Sequence, residues 1–381
     1  MKTILTFFTL LLVSYQFCSA QYGNGHCESG NCDNGFGVYK FDNGSTYEGN
    51  WKNGKLHGEG KYFFISGNYY EGQFFESKKH GKGKYSYTNG ITFTGNFVND
   101  TIKGEGSIVY KNGTKYIGEL FDFKMQGKGK ITFPDGITFT ANFSDDSIIG
   151  DGKINFKNGS TYEGNLKGFV MEGKGKLVDS SGFIYTGDFK VNSFNGIGEK
   201  KEADGFTYFG EFTNNMRHGL GTLIYSNGSK ITARWILDSI TNENLKVEIK
   251  NDKQIPLIPF ANGLYKIPVK INNALDVLLL FDTGAPESMI NYKNIQFLLK
   301  SKAISEQDIL RTSEHKFADG FKHKKIAYKI NSLLIGKFPI NNGELATFEE
   351  DNIEQILGQN VISKFGKIQI DYKNHILTIV K

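Results

Sequence analysis

One period governs more than half of the chain. A glycine or alanine recurs at Gly49, Gly72, Gly95, Gly118, Ala141, Gly164, Gly187, Gly210 and Ala233, every step being 23 residues. Two residues before these positions stand Tyr47, Tyr70, Phe93, Tyr116, Phe139, Tyr162, Tyr185, Tyr208 and Ile231. Two residues after them stand Trp51, Phe74, Phe97, Leu120, Phe143, Leu166, Phe189, Phe212 and Trp235. A fixed period of this length is the mark of stacked supersecondary units. Residues spaced by two lie on one face of a strand, so each repeat presents ring, small residue, ring to the same side. Before each such strand comes a turn signal, as at Asn43-Gly44, Asn89-Gly90, Asp135-Gly136 and Asn227-Gly228. Asn-Gly and Asp-Gly suit two-residue hairpin turns with positive φ. The Gly-x-Gly pairs, from Gly35/Gly37 and Gly58/Gly60 to Gly219/Gly221, read as loops that pass the chain to the next hairpin. The small central residue leaves room for neighbouring rings to stack. The expected fold class is all-β. Its larger part is an elongated single-layer sheet of about eighteen strands, on the order of 85 Å long at strand spacing.

The segment Tyr47-Glu48-Gly49-Asn50-Trp51-Lys52-Asn53-Gly54-Lys55-Leu56-His57-Gly58-Glu59-Gly60 closely resembles the membrane occupation and recognition nexus (MORN) repeat. The resemblance covers about residues 35–237 and loosens where Ala141 and Ala233 replace glycine. It implies a scaffolding or interaction arm, with a protein or a lipid surface as its partner. His57, His80 and His218 read as turn residues. One repeat apart, they cannot share a metal, so no metal or other cofactor is expected. Sequons stand at Asn43, Asn99, Asn112, Asn142, Asn158 and Asn227, four of them by-products of the Asn-Gly turn.

The first residues, 1–20, have the basic start, apolar run and small-residue cleavage site of a secretory signal peptide, which implies an exported protein. Residues 21–34 then form an N-terminal segment. Cys27 and Cys32, close together in an oxidising compartment, are expected to form one small disulfide. The net charge is +5 with lysines scattered along the chain, which leaves no nucleic-acid footprint.

After Trp235 the period stops. Residues 238–259 read as a polar linker closed by Pro256 and Pro259, and residues 260–381 as one small domain. Tyr265, Ile267, Val269 and Ile271 alternate with polar residues as in a half-buried strand. Asn272-Asn273 turns it. Val277–Phe281 reads as a central strand ending at Asp282. The run Asp282-Thr283-Gly284-Ala285, followed by Ser288 and Ile290, resembles the active-site motif of retropepsin-like aspartic peptidases. Ile356-Leu357-Gly358, leading into a helix over Asn360–Phe365, resembles that family's second signature. Ala318, Asp319 and Gly320 stand where the flap would begin.

The resemblance implies a closed β domain, with Asp282 as the catalytic acid. Thr283, Gly284, Ala285, Ser288 and Gly358 would support it. Two close carboxylates can share one proton and act as base and acid. This chain has a single Asp-Thr-Gly, so the second carboxylate is expected from another copy across a two-fold axis. The expected function is an exported, secreted or periplasmic, aspartic endopeptidase. It would cleave protein or peptide substrates as a homodimer, with the repeats as its arm. The alternative is a non-catalytic scaffold in which the peptidase-like domain only dimerises, because fold does not fix function.

Overall fold

The computed structural model describes residues 24–316, 322–349 and 353–380. The leader at 1–20 and the flap residues Ala318, Asp319 and Gly320 lie outside the described residues. The fold is nearly all β, dominated by a long antiparallel sheet of hairpins. The chain divides into two compact units, 1–149 and 150–381. The repeats therefore continue across the division, and the later ones belong to the same unit as the C-terminal residues.

The first complete repeat shows why the period works. Strand Thr46–Lys52 pairs with Lys55–Phe63, setting Tyr47 opposite Tyr62 and Gly49 opposite Gly60. The Tyr47 ring lies flat over that glycine pair. A Cβ on Gly60 would come within 2.5 Å of the ring's Cε2 and Cζ. The small residue thus makes room for its own repeat's tyrosine, and the next repeat's ring meets that tyrosine edge-on, Phe74 lying 5.1 Å from Tyr47. The ring hydroxyl donates to the carbonyl three residues on, Tyr47 Oη to Asn50 O at 2.9 Å. Tyr70, Tyr116, Tyr162, Tyr185 and Tyr208 repeat that bond. Where alanine replaces the glycine, the residue two before is Phe139 or Ile231, not a tyrosine.

Three local expectations are corrected. The Gly-x-Gly pairs are not loops: Gly58 and Gly60 lie inside Lys55–Phe63, and Gly219 and Gly221 inside Met216–Ile224. His57, His80 and His218 likewise sit in strands, the first two against the Phe75 ring. The Asn-Gly and Asp-Gly sites that precede the ring strands are three-residue loops. At Asp42-Asn43-Gly44 only Gly44 has positive φ, Phe41 and Ser45 close the loop, and Asn43 Oδ1 accepts from Ser45 N–H at 2.9 Å. The tight two-residue turns lie at the hairpins' other end, both residues at positive φ, as at Asn53-Gly54, Glu76-Ser77, Asn99-Asp100, Val191-Asn192 and Leu237-Asp238. There the second residue supports the preceding repeat. Asp100 Oδ1 accepts from Lys79 N–H at 2.9 Å, and Asn192 Oδ1 from Met171 N–H at 2.8 Å. A side chain able to accept serves these turns better than the glycine that turn propensity favours.

The residues expected as a linker are structured. Ser239–Ile240 and Lys246–Glu248 fold back onto the last repeat strand, Lys230–Ile236. Gln254–Pro256 pairs with the C-terminal strand Ile376–Val380, and Ile258–Pro259 pairs with Tyr265–Ile271. Within the second unit the late repeats hold the C-terminal residues. Tyr225 Oη donates to Leu257 O at 3.3 Å, and His375 Nε2 lies 2.8 Å from Asp204 Oδ2.

The C-terminal domain is all-β, but its sheets are open where closure was expected. A seven-stranded sheet runs in the order Ile309–Lys316, Lys322–Ile335, Tyr265–Ile271, Leu275–Phe281, Ile356–Leu357, with two further strands off that path. Gln254–Pro256, Ile376–Val380 and Lys367–Asp371 make a separate three-stranded sheet. Asn272-Asn273 forms the expected turn with both residues at positive φ. One helix, Tyr292–Lys300, was not legible from periodicity. It is capped by Asn291, whose side chain accepts from Asn294 N–H, and buries Ile295 and Leu298 against the sheet.

Candidate functional site

The strand Leu275–Phe281 runs through the core with Val277 and Leu279 fully buried, then delivers Asp282 to the rim. Its partner on one side is Tyr265–Ile271, from Leu275 to Leu280. On the other it is Ile356–Leu357, in parallel, with Leu280 opposite Ile356 and Phe281 opposite Leu357. Asp282 N–H donates to Leu357 O at 3.2 Å, which fixes the backbone at the residue that carries the carboxylate. Asp282 is half-buried, Thr283 and Gly284 are exposed, and Gly284 N–H donates to Asp282 Oδ1 at 2.8 Å.

Gly358 sets how closely the two motifs approach. A Cβ there would collide with Glu287 O and come within 2.5 Å of Glu287 C and 2.8 Å of Ala285 O, all backbone. Ser288, with no exposed surface, joins the segments. Its hydroxyl accepts from Gly358 N–H at 2.9 Å and donates to Asn360 Oδ1 at 2.7 Å. Ser288 N–H donates to the same Asn360 oxygen, and Asn360 Nδ2 donates to Glu344 O. Gln359 N–H donates to Ala285 O at 2.8 Å, and its side chain donates to Thr283 O at 2.7 Å. Asp282, Thr283, Gly284, Ala285, Ser288 and Gly358 thus form one connected loop pair. Gln359 and Asn360 complete it; Asn360 stood in the expected helix that follows Gly358, but the side-chain bonds of the two carried no sequence signal.

Glu287 ties this loop to the hairpin Ile309–Lys316/Lys322–Ile335. It accepts from Lys325 and from Arg311, at 2.7 Å for Arg311 Nη2, and Arg311 also pairs with Glu344. The bond from the Lys325 ammonium, with Arg311 adding to it, holds the Glu287 carboxyl below the usual carboxylate range. At the other end of the chain Cys27 and Cys32 are joined, their Cα atoms 6.0 Å apart. Among the described residues no group of three or more His, Cys, Asp or Glu is placed to hold a metal ion.

The repeats offer a groove of about 1260 Å³ on the strand face opposite the rings, lined by Glu48, Lys61, Glu71 and Lys84 among others. These four stand opposite one another across successive strands, Glu48 to Lys61, Lys61 to Glu71 and Glu71 to Lys84. Opposite charges in cross-strand pairs neutralise each other, so this ladder offers no net charge to a partner.

The family model described as MORN repeat matches residues 34–46, 47–69, 70–92, 93–115, 116–138 and 208–230. Residues 34–138 and 208–230 are MORN repeats. The matched MORN segments open at ring positions from Tyr47 on, and the repeats between 139 and 207 keep the period with looser sequence. No curated protein matches the chain. Among solved structures, a retropepsin-like aspartic protease from Rickettsia conorii overlaps 32% of this chain and 96% of its own, at 19% identity and a TM-score of 0.26. The wild-type TCP10 domain of Danio rerio CPAP overlaps 55% of this chain and 96% of its own, at 14% identity and a TM-score of 0.34. Neither overlap bears on function.

Proposed function

We propose that this MORN-repeat protein is a scaffold whose C-terminal domain is an aspartic endopeptidase, completed when two copies meet. The observation that carries the reading is the held carboxylate. Asp282 stands half-exposed at the end of a buried strand, in a loop that Gly358 and Ser288 fix from below. A lone carboxylate can take a proton from water or give one to a carbonyl oxygen, but peptide hydrolysis needs both at once. A second Asp282 across a two-fold axis supplies the missing group, and the close pair holds one proton between them. The ionised member then takes a proton from the attacking water while the protonated member gives one to the peptide carbonyl. The tetrahedral intermediate collapses as the leaving amine is protonated. Gly284 N–H, already on Asp282 Oδ1, orients the carboxylate, and exposed Thr283 braces the two loops. Protein or peptide is the substrate class. The Cys27–Cys32 disulfide supports an exported location.

The second reading is a scaffold without catalysis, favoured by the MORN match to the repeats and by the single acid motif per chain. The test uses chain 21–381 and its Asp282→Asn variant on a denatured peptide library from acid to neutral pH, with light scattering for mass. Cleavage by wild type alone, from a dimer, carries the first reading. No cleavage by either protein leaves the scaffold reading in its place.

A further inference from the structure

The strand that delivers Asp282 has one edge only partly paired. Along that edge the donors are the alternate amides of Leu278, Leu280 and Asp282. Leu280 N–H donates to Gln355 O at 2.7 Å and Asp282 N–H to Leu357 O at 3.2 Å. Among the described residues, the partner segment supplies no bond at Leu278. There Asn242 takes its place, its Oδ1 accepting from Leu278 N–H at 2.9 Å. One side chain therefore continues a ladder that the backbone has left.

Asn242 is not a free loop residue. It belongs to the turn that closes the repeat array, and that turn is tied to the last repeat strand, Lys230–Ile236, on both flanks. Thr241 N–H donates to Arg234 O at 2.9 Å, and Arg234 N–H donates to Glu243 O at 2.9 Å. Thr241 Oγ1 adds a bond to Arg234 O, and Glu243 pairs with the Arg234 guanidinium at 3.7 Å. A continuous path runs from the last repeat through Asn242 to Leu278, four residues before the carboxylate.

We propose that Asn242 is a positioning residue for Asp282, so that the final MORN repeat is part of the machinery that aims the catalytic strand. The inference rests on the peptidase reading for its purpose, but the hydrogen bond can be tested without it. An unpaired strand edge opens locally at low cost, whereas each added bond slows that opening. A carboxylate that must meet its copy within hydrogen-bond reach gains from a strand that does not shift along its axis.

The test compares the full chain, Asn242→Ala and Asn242→Asp, the last of which keeps an acceptor oxygen. Amide exchange at Leu278 and turnover of a cleaved peptide are both measured. The expected result for Asn242→Ala is about tenfold faster exchange at Leu278, the loss of one net hydrogen bond. kcat is expected to fall about tenfold with KM within about twofold. Asn242→Asp restores both. Unchanged exchange at Leu278 in Asn242→Ala overturns the brace, whatever the activity. Faster exchange with unchanged kcat overturns the positioning role while leaving the peptidase intact. An inactive wild type overturns the peptidase reading and the catalytic purpose together, and exchange at Leu278 still decides whether Asn242 holds the strand.

Discussion

Replacing Gly358 by alanine is the sharpest perturbation the geometry offers. The new methyl would collide with Glu287 O and sit 2.5 Å from Glu287 C and 2.8 Å from Ala285 O. Carbon and carbonyl oxygen are comfortable at about 3.3–3.6 Å, so residues 285–287 must retreat by roughly 1 Å. Four bonds resist that retreat: Gly358 N–H to Ser288 Oγ, Gln359 N–H to Ala285 O, and the two from Ser288 to Asn360 Oδ1. Overpacking costs about 1–3 kcal/mol, and a buried bond left open adds about 1–3 kcal/mol. The sum, on the order of 2–6 kcal/mol, lowers the melting temperature of a unit this size by roughly 4–24 °C. The assay is calorimetry of the full chain, with Gly366→Ala beside it. Gly366 has φ of 72° and nothing within 4 Å of an added Cβ, so it reports only the backbone cost, about 1–3 kcal/mol. A Gly358→Ala melting point within about 1 °C of wild type, or a loss no larger than that of Gly366→Ala, refutes the close-approach argument. On the peptidase reading the same 1 Å displacement lowers turnover about a hundredfold.

Val191 occupies a turn position at φ 48°, where a β-branched residue is strained, so Val191→Asn is expected to raise stability by about 1 kcal/mol, read from denaturant midpoints. Tyr185→Phe removes only the bond from the ring hydroxyl to Asp188 O and costs about 1 kcal/mol. Gly198→Ala drives a methyl to within 2.6 Å of the Tyr185 ring carbons Cε2 and Cζ and is expected to cost at least about 2 kcal/mol by the same unfolding assay. Glu287→Gln is expected to cost about 1 kcal/mol at neutral pH and to speed amide exchange in the hairpin that carries Arg311 and Lys325. Because the native Glu287 carboxyl is held below its ordinary value, that advantage exists above about pH 4 and is lost as pH falls through the native value. Melting curves of the two proteins should therefore converge in acid.

The period was legible because ring, small residue and ring recur on one strand face, and burial of those rings is what the sheet requires. What the period does not reveal is which end of a hairpin holds which turn. Asn43-Gly44 carries the strongest two-residue turn signal yet folds as a three-residue loop. Val191-Asn192 carries almost none, and its conformation is set by Asn192 bonding to Met171 N–H. A contact 21 residues away overrides a local preference. In the C-terminal domain Asp282, Ser288 and Gly358 were singled out through their resemblance to a family motif, and the fold brings them into one loop pair. Asn242 was not. It lies 36 residues from Leu278, in a segment whose composition reads as linker, and any side-chain acceptor on that turn would serve. Glu287, Arg311 and Lys325 were hidden for a similar reason, since ion pairs are set by where strands cross and not by local pattern.

The two ends of the array bear on whether the molecule is finite. An end strand of such an array offers an unpaired edge to any strand of like register, including one from another molecule. On the first repeat strand, Gly35–Phe41, that edge is taken by Gly25–Gly30, which the Cys27–Cys32 bridge ties to the turn that follows it. On the last, Lys230–Ile236, it is taken by the short strands Ser239–Ile240 and Lys246–Glu248. A few residues at each terminus thus stand between a discrete particle and an open-ended polymer. Reduction of one small disulfide would loosen the first of these stops and leave the second in place.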